Sequence, residues 1–214
     1  MSPDVIRYLG RPVDQLVRAI IAVLAISNPV GAVPLFLSLT ETRDAGDRRQ
    51  AALRASIAVF VILTLAAFGG RIVLATFGIS IPAFRAAGGL VILLMGLEML
   101  RGSPTRVQHE GTADADDAIV VPLAMPLIAG PGAITTVITL TTQSPGWRGQ
   151  VQASVAVAVT TAVLFVTLLS SNWIGERVTA RGQRIFLRFM GLILVSIGAE
   201  LLLTGVRTFV VPTR

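Results

Sequence analysis

The stretch LAISNPVGAVPLF, residues 24–36, interrupts the first long apolar segment of the chain with an Asn-Pro pair, a glycine and a second proline. Proline has no N–H, and its ring displaces the carbonyl four residues earlier. Pro29 therefore frees the carbonyl of Ala25, and Pro34 frees that of Val30. The segment is predicted to form two half-helices with a break near Asn28.

A later apolar segment repeats this feature. In the stretch PLIAGPGAITTVI, residues 126–138, Pro131 stands between two glycines and frees the carbonyl of Leu127. The sequence thus predicts two broken helices.

The composition places these helices in a membrane. Of the 214 residues, 53% are hydrophobic and 14% are charged, and the mean hydropathy is +0.77. This is more apolar surface than a small soluble core can bury. Six apolar runs are long enough to cross a hydrocarbon layer of about 30 Å. They are Leu16–Leu39, Ala55–Leu74, Ala83–Leu100, Ile119–Leu140, Val151–Ser171 and Ile185–Leu203.

The net charge of +6 comes from arginines between these runs, since the chain has no lysine. Scattered arginines that flank spans set orientation and are not typical of a nucleic-acid surface. A small excess of arginine on one side predicts an outside N-terminus. The chain has no cysteine, and its one histidine, His109, lies in a polar loop, so we expect neither a metal nor a cofactor.

The chain also contains an internal repeat. A shift of 102 residues places GLVILLMGLE, Gly89 to Glu98, on GLILVSIGAE, Gly191 to Glu200, and places Pro29 on Pro131. We interpret residues 1–102 and 119–214 as two three-span repeats joined by the polar loop 103–118. Because three spans is an odd number, the second copy is inverted. The predicted fold is an all-α membrane protein with six transmembrane helices in two inverted three-helix repeats, broken in helices one and four.

Both breaks fall near the middle of their spans, where an unsatisfied backbone group in hydrocarbon costs several kcal/mol. Such breaks are tolerated inside protein or beside a wet cavity. Each new half-helix is expected to offer its first amides to a carboxylate, while freed carbonyls and the Asn28 side chain meet an ammonium group. A small zwitterion would fit. The predicted binding residues are Asn28, Pro29, Gly31, Ala32, Pro34, Gly130, Pro131, Gly132, Ala133, Thr135 and Thr136.

Two alternatives apply to this site. Proline kinks in membrane helices often serve packing alone. The hydroxyls of Thr135 and Thr136, one turn into the half-helix, often bond back to preceding carbonyls. The amides expected to face the ligand are those of Gly31, Ala32 and Val33 at the first break and those of Gly132, Ala133 and Ile134 at the second.

Glu98 and Glu200 occupy equivalent repeat positions within spans. We predict a salt bridge from Glu98 to Arg184 or Arg188, and one from Glu200 to Arg71 or Arg85. In the competing interpretation either glutamate carries a proton that couples transport.

The motifs NPVGAVPLF and PLAMPLIAGPGAITTVI closely resemble the two signature stretches of the MarC family, which includes the SnatA small neutral amino acid transporters. FRAAGG, at Phe84 to Gly89, is similar to the third span of that family. The resemblance implies a six-span bacterial inner-membrane protein that transports glycine- or alanine-like amino acids, coupled to protons. It supports the roles of Asn28, Pro29, Gly31, Pro34, Gly130, Pro131 and Gly132. Glu200 departs from the uncharged polar residue expected there.

The sequence therefore predicts a secondary transporter of small neutral amino acids in contact with the lipid bilayer. The alternatives are an exporter of another small solute and a non-transporting assembly or regulatory membrane protein. We expect no enzymatic activity, because no span carries a Ser/His pair, a His/Glu cluster or paired catalytic aspartates. No nucleotide-binding P-loop is present, so transport would use a gradient.

Overall fold

The computed structural model describes residues 12–101, 128–143, 147–177 and 179–211. These residues form helices and short connections. The helices are α1 (Pro12–Ser27), α2 (Pro29–Leu39), α3 (Ala45–Thr76), α4 (Ile81–Arg101), α5 (Pro131–Gln143), α6 (Trp147–Leu169), α7 (Ser171–Arg177) and α8 (Ala180–Val210).

Five segments of the described chain are long and apolar enough to cross a membrane. One runs through the first break, from Gln15 to Leu39, and the others lie in α3, α4, α6 and α8. The remaining predicted span, Ile119–Leu140, is described only from Ile128 onward. The predicted loop 103–118 lies outside the described residues.

Two of the helices begin well before the apolar runs that predicted them. Asp44 caps α3 by accepting a hydrogen bond from the Asp47 amide at 2.8 Å, and Thr179 caps α8 through the Gly182 amide at 3.2 Å. Such caps stabilise a first turn that contains polar residues. The helices therefore extend past the hydrocarbon, whereas hydropathy detects only their apolar parts.

Helix α6 lies at the centre of the bundle and contacts α1, α2, α3 and α5. Small residues allow this close packing, because Ala153, Ala156 and Thr160 are all completely buried. The outer side of the bundle is also apolar: on α3, Leu65 and Ile72 are 68% and 69% exposed. Large exposed apolar side chains in this number are typical of a lipid-facing surface.

Helices α4 and α8 form an antiparallel pair whose backbones touch at glycines. A Cβ atom on Gly89 would lie 2.8 Å from the Gly198 carbonyl oxygen, and one on Gly96 would lie 2.7 Å from that of Gly191. Only glycine permits backbones to approach so closely. The pair therefore has one register, with Gly89 beside Gly198 and Gly96 beside Gly191.

Arg48 joins three segments at one end of the bundle. Its Nε donates to the Thr40 carbonyl at 2.9 Å, its Nη2 to the Glu41 carbonyl at 3.1 Å, and its Nη1 to Asn172 Oδ1 at 2.7 Å. The α2–α3 connection and α7 therefore lie at the same end.

Candidate functional site

The first helix breaks at Asn28, as its sequence predicts. Asn28 has φ 41° and ψ 63°, the left-handed conformation, and is the one described residue other than glycine with a positive φ. Asparagine tolerates this conformation better than most residues. Its Oδ1 accepts a hydrogen bond from the Gly31 amide at 3.3 Å and caps α2, which begins at Pro29. The break is thus formed by the left-handed backbone of Asn28 and stabilised by the hydrogen bond that its side chain accepts.

Most amides at the first break are already satisfied. The Asn28 amide donates to the Leu24 carbonyl at 3.0 Å, Pro29 has no N–H, and the Gly31 amide donates to Asn28. Since a helix leaves four leading amides without an intrahelical acceptor, Val30 alone retains an uncapped one. The expectation that Gly31, Ala32 and Val33 would offer free amides is therefore wrong, because the half-helix starts at Pro29 and caps itself.

The second break leaves more amides without an intrahelical acceptor. Ala129 and Gly130 form a bend, and α5 begins at Pro131. The Ile134 amide already donates to the Gly130 carbonyl at 3.1 Å, so it is not available as predicted. Gly130 has no side chain with which to cap the helix, so the amides of Gly132 and Ala133 lack an intrahelical acceptor. The second break is accordingly the one that favours an anion.

The two breaks are neighbours in space. A Cβ atom on Gly132 would lie 3.3 Å from Ile26 Cγ2, two residues before Asn28, and 2.6 Å from Ile92 Cγ1 on α4. Helix α5 thus contacts both α1 and α4 at the start of its first turn. Because any side chain at Gly132 would collide with Ile92, a replacement there disturbs packing as well as any ligand.

Three buried hydroxyls lie in α1, α5 and the central helix α6. Among the described residues, the hydroxyls of Ser27, Thr139 and Thr160 find no hydrogen-bond partner, and these residues are 1%, 3% and 0% exposed. A buried unpaired hydroxyl is unfavourable, so a water molecule or a ligand would be stabilised at each of these positions. None of these three residues belongs to the predicted site. The position of Ser27 directly before Asn28 was the one available signal.

The two predicted threonines, unlike these three residues, have hydrogen-bonded hydroxyls. Thr135 donates to the Pro131 carbonyl at 2.8 Å, and Thr136 donates to the Gly132 carbonyl at 2.9 Å. Both hydroxyls therefore bond back to the first turn of α5, and each uses its proton there. Pro29, Ala32, Gly130 and Ala133 are buried around the breaks, whereas Pro34 and Pro131 are exposed.

Pro34 lines an apolar cavity on the outer side of α2. The cavity measures about 140 Å³ and lies between α2, the short helix α7 and the start of α8. Its lining suits hydrocarbon more than a zwitterion. It is formed by Val30, Val33, Pro34, Ile174, Gln183, Phe186 and Leu187.

Glu98 and Glu200 are exposed, and neither forms an ion pair with a described arginine. The register of α4 and α8 explains why. Each glutamate follows an interfacial glycine, Gly96 or Gly198, by two residues, which rotates it about 200° around its helix. Both glutamates therefore face away from the partner helix, and the salt bridges predicted for them are not formed in this structure.

Arg85 is half-buried on α4. Its Nε is buried and has no hydrogen-bond partner. An arginine within a span is rare and ordinarily faces the interior of the protein or water.

The profile of the MarC family of integral membrane proteins matches residues 13–210. The chain is 40% identical over 185 residues to the UPF0056 membrane protein PH0760 of Pyrococcus horikoshii, covering 86% of this chain and 90% of that protein. It is 35% identical over 190 residues to the UPF0056 membrane protein MJ1677 of Methanocaldococcus jannaschii, covering 87% and 93% of the two chains. It is 33% identical over 192 residues to the UPF0056 membrane protein YhcE of Escherichia coli, covering 87% and 89%. No solved structure matches significantly.

The match covers both helix breaks and the glycine-packed pair, and the described helices are long and apolar enough for repeated membrane crossings. This chain belongs to the MarC family of integral membrane proteins.

Proposed function

We propose that the protein is a secondary transporter of small neutral amino acids such as glycine and alanine, and that it binds them between the two helix breaks. The observation that carries this proposal is the meeting of the breaks at Gly132 and Ile26; Ser27, next to Ile26 in the chain, has a buried hydroxyl without a partner among the described residues. Adjacent broken helices inside a membrane bundle are the usual setting of a transporter's central site.

The chemistry of the two breaks matches the two ends of an amino acid. The amides of Gly132 and Ala133, at the positive end of α5, suit a carboxylate. On the other side of the site, Pro29 cannot donate to the Ala25 carbonyl, which leaves an acceptor suited to an ammonium group. The Ser27 hydroxyl can donate a hydrogen bond to the carboxylate or accept one from the ammonium group.

The packing around the second break favours a small substrate. Gly132 lies against Ile26 and Ile92, and a Cβ atom on Gly88 would collide with Thr135 on the same helix as Gly132. Little space therefore exists for a large side chain near the amides.

We further propose that the fold is a six-span inverted repeat. The 102-residue shift aligns Gly89 with Gly191 and Gly96 with Gly198. It therefore places the contact between Gly89 and Gly198 on the contact between Gly191 and Gly96. The same shift aligns Ile92, which is completely buried, with Leu194, which is 2% exposed. A pseudo-twofold axis between α4 and α8 accounts for both correspondences and supports alternating access.

The arginines support the proposed orientation in a bacterial inner membrane, with the N-terminus outside. One end of the bundle contains the α2–α3 connection, the end of α4 and the start of α8. It holds nine of the 14 arginines that the structure describes, and the predicted topology gives this side ten of all 18, a small excess of the kind expected for the cytoplasmic side. They are Arg43, Arg48, Arg49, Arg54, Arg101, Arg177, Arg181, Arg184 and Arg188, compared with Arg18, Arg71, Arg85, Arg148 and Arg207 at the opposite end.

The coupling ion is proposed to be a proton. Apart from Asp47 in the first turn of α3, Glu98 and Glu200 are the acidic residues within the described spans, and they are the candidates for carrying it. Both glutamates are exposed and lie away from the breaks, so a role in proton coupling would not involve direct contact with the substrate. The chain is not proposed to be an enzyme.

The test is uptake of labelled glycine and alanine into proteoliposomes that contain the purified protein, with and without a pH gradient. We expect saturable uptake above protein-free liposomes, increased by the gradient. Absence of uptake for both substrates would favour a non-transporting membrane protein. Uptake of a different small solute would instead favour the exporter alternative.

A further inference from the structure

Three arginines at the start of α8 form an exposed basic surface. Arg181, Arg184 and Arg188 are spaced three and then four residues apart, which places them on one face of the helix. All three are exposed, and together with Ile185 they enclose a space of about 330 Å³. We call these three residues the arginine face.

The arginine face lacks protein partners. Among the residues that the structure describes, none of the three donates a hydrogen bond or forms an ion pair. Glu98, the predicted partner of Arg184 and Arg188, is on the opposite side of α4. Other arginines at this end are engaged: Arg48 makes three hydrogen bonds, and Arg177 stacks on Trp173 at 4.6 Å from the ring centre. Three adjacent cations without counter-charges favour an anion from outside the chain.

The same helix continues from the arginine face into an apolar surface. Ile185, Phe189 and Leu192 are 62%, 60% and 55% exposed. They extend along α8 towards the middle of the membrane, over about 12 Å from Arg184 to Leu192 at the helical rise. A ligand that covers both surfaces therefore needs an anionic group at one end and hydrocarbon at the other.

A neighbouring tryptophan marks the level of the lipid headgroups. Trp173 is 58% exposed on α7, the helix directly before α8. The guanidinium of Arg177 stacks over its ring. Exposed tryptophans in membrane proteins are enriched at the boundary between headgroups and acyl chains. The arginine face lies at the same end of the bundle, so it lies where phosphates are found.

We propose that the arginine face binds the phosphate of an anionic glycerophospholipid, with an acyl chain along Ile185, Phe189 and Leu192. This site is separate from the helix breaks and does not depend on the proposed transport activity. Zwitterionic lipids are disfavoured, because their choline or ethanolamine group would bring a positive charge to three uncompensated arginines.

The experiment measures binding of phosphatidylglycerol and phosphatidylcholine to the purified full-length protein in a neutral detergent, by native mass spectrometry. The test variant is Arg181→Gln/Arg184→Gln/Arg188→Gln. The matched control is Arg71→Gln/Arg207→Gln, which removes exposed arginines at the other end of the bundle. At about 1 kcal/mol per arginine, we expect the test variant to bind phosphatidylglycerol about 100-fold more weakly and the control to bind like the parent.

Unchanged phosphatidylglycerol binding by the test variant would overturn the proposal, as would equal binding of phosphatidylcholine by the parent protein. Displacement of the lipid by millimolar inorganic phosphate would also overturn it, because the site would then be one for free anions. A thermal melt without lipid confirms that the variants are folded. If the triple variant fails to fold, Arg184→Gln/Arg188→Gln takes its place, with at least a tenfold loss expected.

Discussion

At the scale of single residues, Asn28 combines a backbone role with a side-chain role, and two substitutions separate them. Asn28→Ala removes the cap on Gly31 and strains a left-handed residue, so we expect a loss of about 2–3 kcal/mol in the free energy of unfolding. Asn28→Gly relieves the strain and should cost less than about 1 kcal/mol. Unfolding in mixed detergent micelles measures both. Equal losses would contradict the structural role of the left-handed backbone.

Ser27 provides the sharpest test of the binding site at this scale. Its hydroxyl has no partner, so Ser27→Ala should leave the free energy of unfolding unchanged or raise it by up to about 1 kcal/mol. If the hydroxyl meets the substrate, the same change weakens glycine binding about fivefold to tenfold.

The control is Ser56→Ala, which removes a buried hydroxyl that already donates to the Ala52 carbonyl at 2.8 Å. It should not alter glycine binding, which isothermal titration calorimetry can measure for all three proteins. A Ser27→Ala protein that binds glycine like the parent would place the site elsewhere.

These two residues show how far sequence predicts the site. Asn28 and Pro29 were predicted because proline chemistry alone dictates a break. Ser27 was missed because serine in a membrane helix ordinarily bonds back to a carbonyl, and its failure to do so is visible only in three dimensions. The availability of the Gly132 and Ala133 amides to a ligand stays a prediction, although α5 begins at Pro131 and so gives neither an intrahelical acceptor. The prediction of free amides at Gly31 and Val33 was wrong, because the Asn28 side chain caps Gly31 and because Val33 lies inside a helix that already begins at Pro29.

At the scale of helices, the α4–α8 contact depends on glycine at five positions, Gly89, Gly96, Gly191, Gly198 and Gly205. A Cβ atom on Gly198 would lie 2.7 Å from the Gly89 carbonyl oxygen and 2.8 Å from Leu93 Cα. Gly198→Ala should therefore force the helices apart and lower the free energy of unfolding by about 1–3 kcal/mol.

Gly69→Ala on α3 is the matched control, because a Cβ atom there meets nothing within 4 Å. It should stabilise the helix by about 0.5–1 kcal/mol. Both changes are measured by unfolding in mixed micelles. The packing account fails if Gly198→Ala is as stable as Gly69→Ala.

The register of the glycines also explains why the predicted salt bridges of Glu98 and Glu200 are not formed. The repeat GLVILLMGLE correctly marks the paired helices, but its spacing of two residues from Gly96 to Glu98 already places the glutamate on the far side. The salt-bridge prediction considered depth in the membrane and neglected rotation around the helix. Helix starts such as Ala45 were missed because hydropathy carries no information on caps formed outside the hydrocarbon.

At the scale of the whole molecule, orientation can be tested cleanly because the chain contains no cysteine. Ser80 lies in the exposed α3–α4 connection, and Thr42 lies in the exposed α2–α3 connection at the opposite end. With the N-terminus outside, Ser80→Cys should react with a membrane-impermeant maleimide in intact cells. Thr42→Cys should react only after permeabilisation. The reverse labelling pattern would invert the proposed orientation and the side at which the arginine face meets lipid.

Solute counterflow tests the central claim, that the paired breaks form a transport site for small neutral amino acids, most directly. Proteoliposomes loaded with unlabelled glycine are diluted into labelled glycine without any ion gradient, so that neither the coupling ion nor the direction of transport affects the outcome. We predict transient accumulation of label, suppressed by unlabelled alanine but not by leucine, and strongly reduced in Ser27→Ala but not in Ser56→Ala. If glycine and alanine show no counterflow in liposomes that contain folded protein, the account of the paired breaks as an amino acid site is wrong.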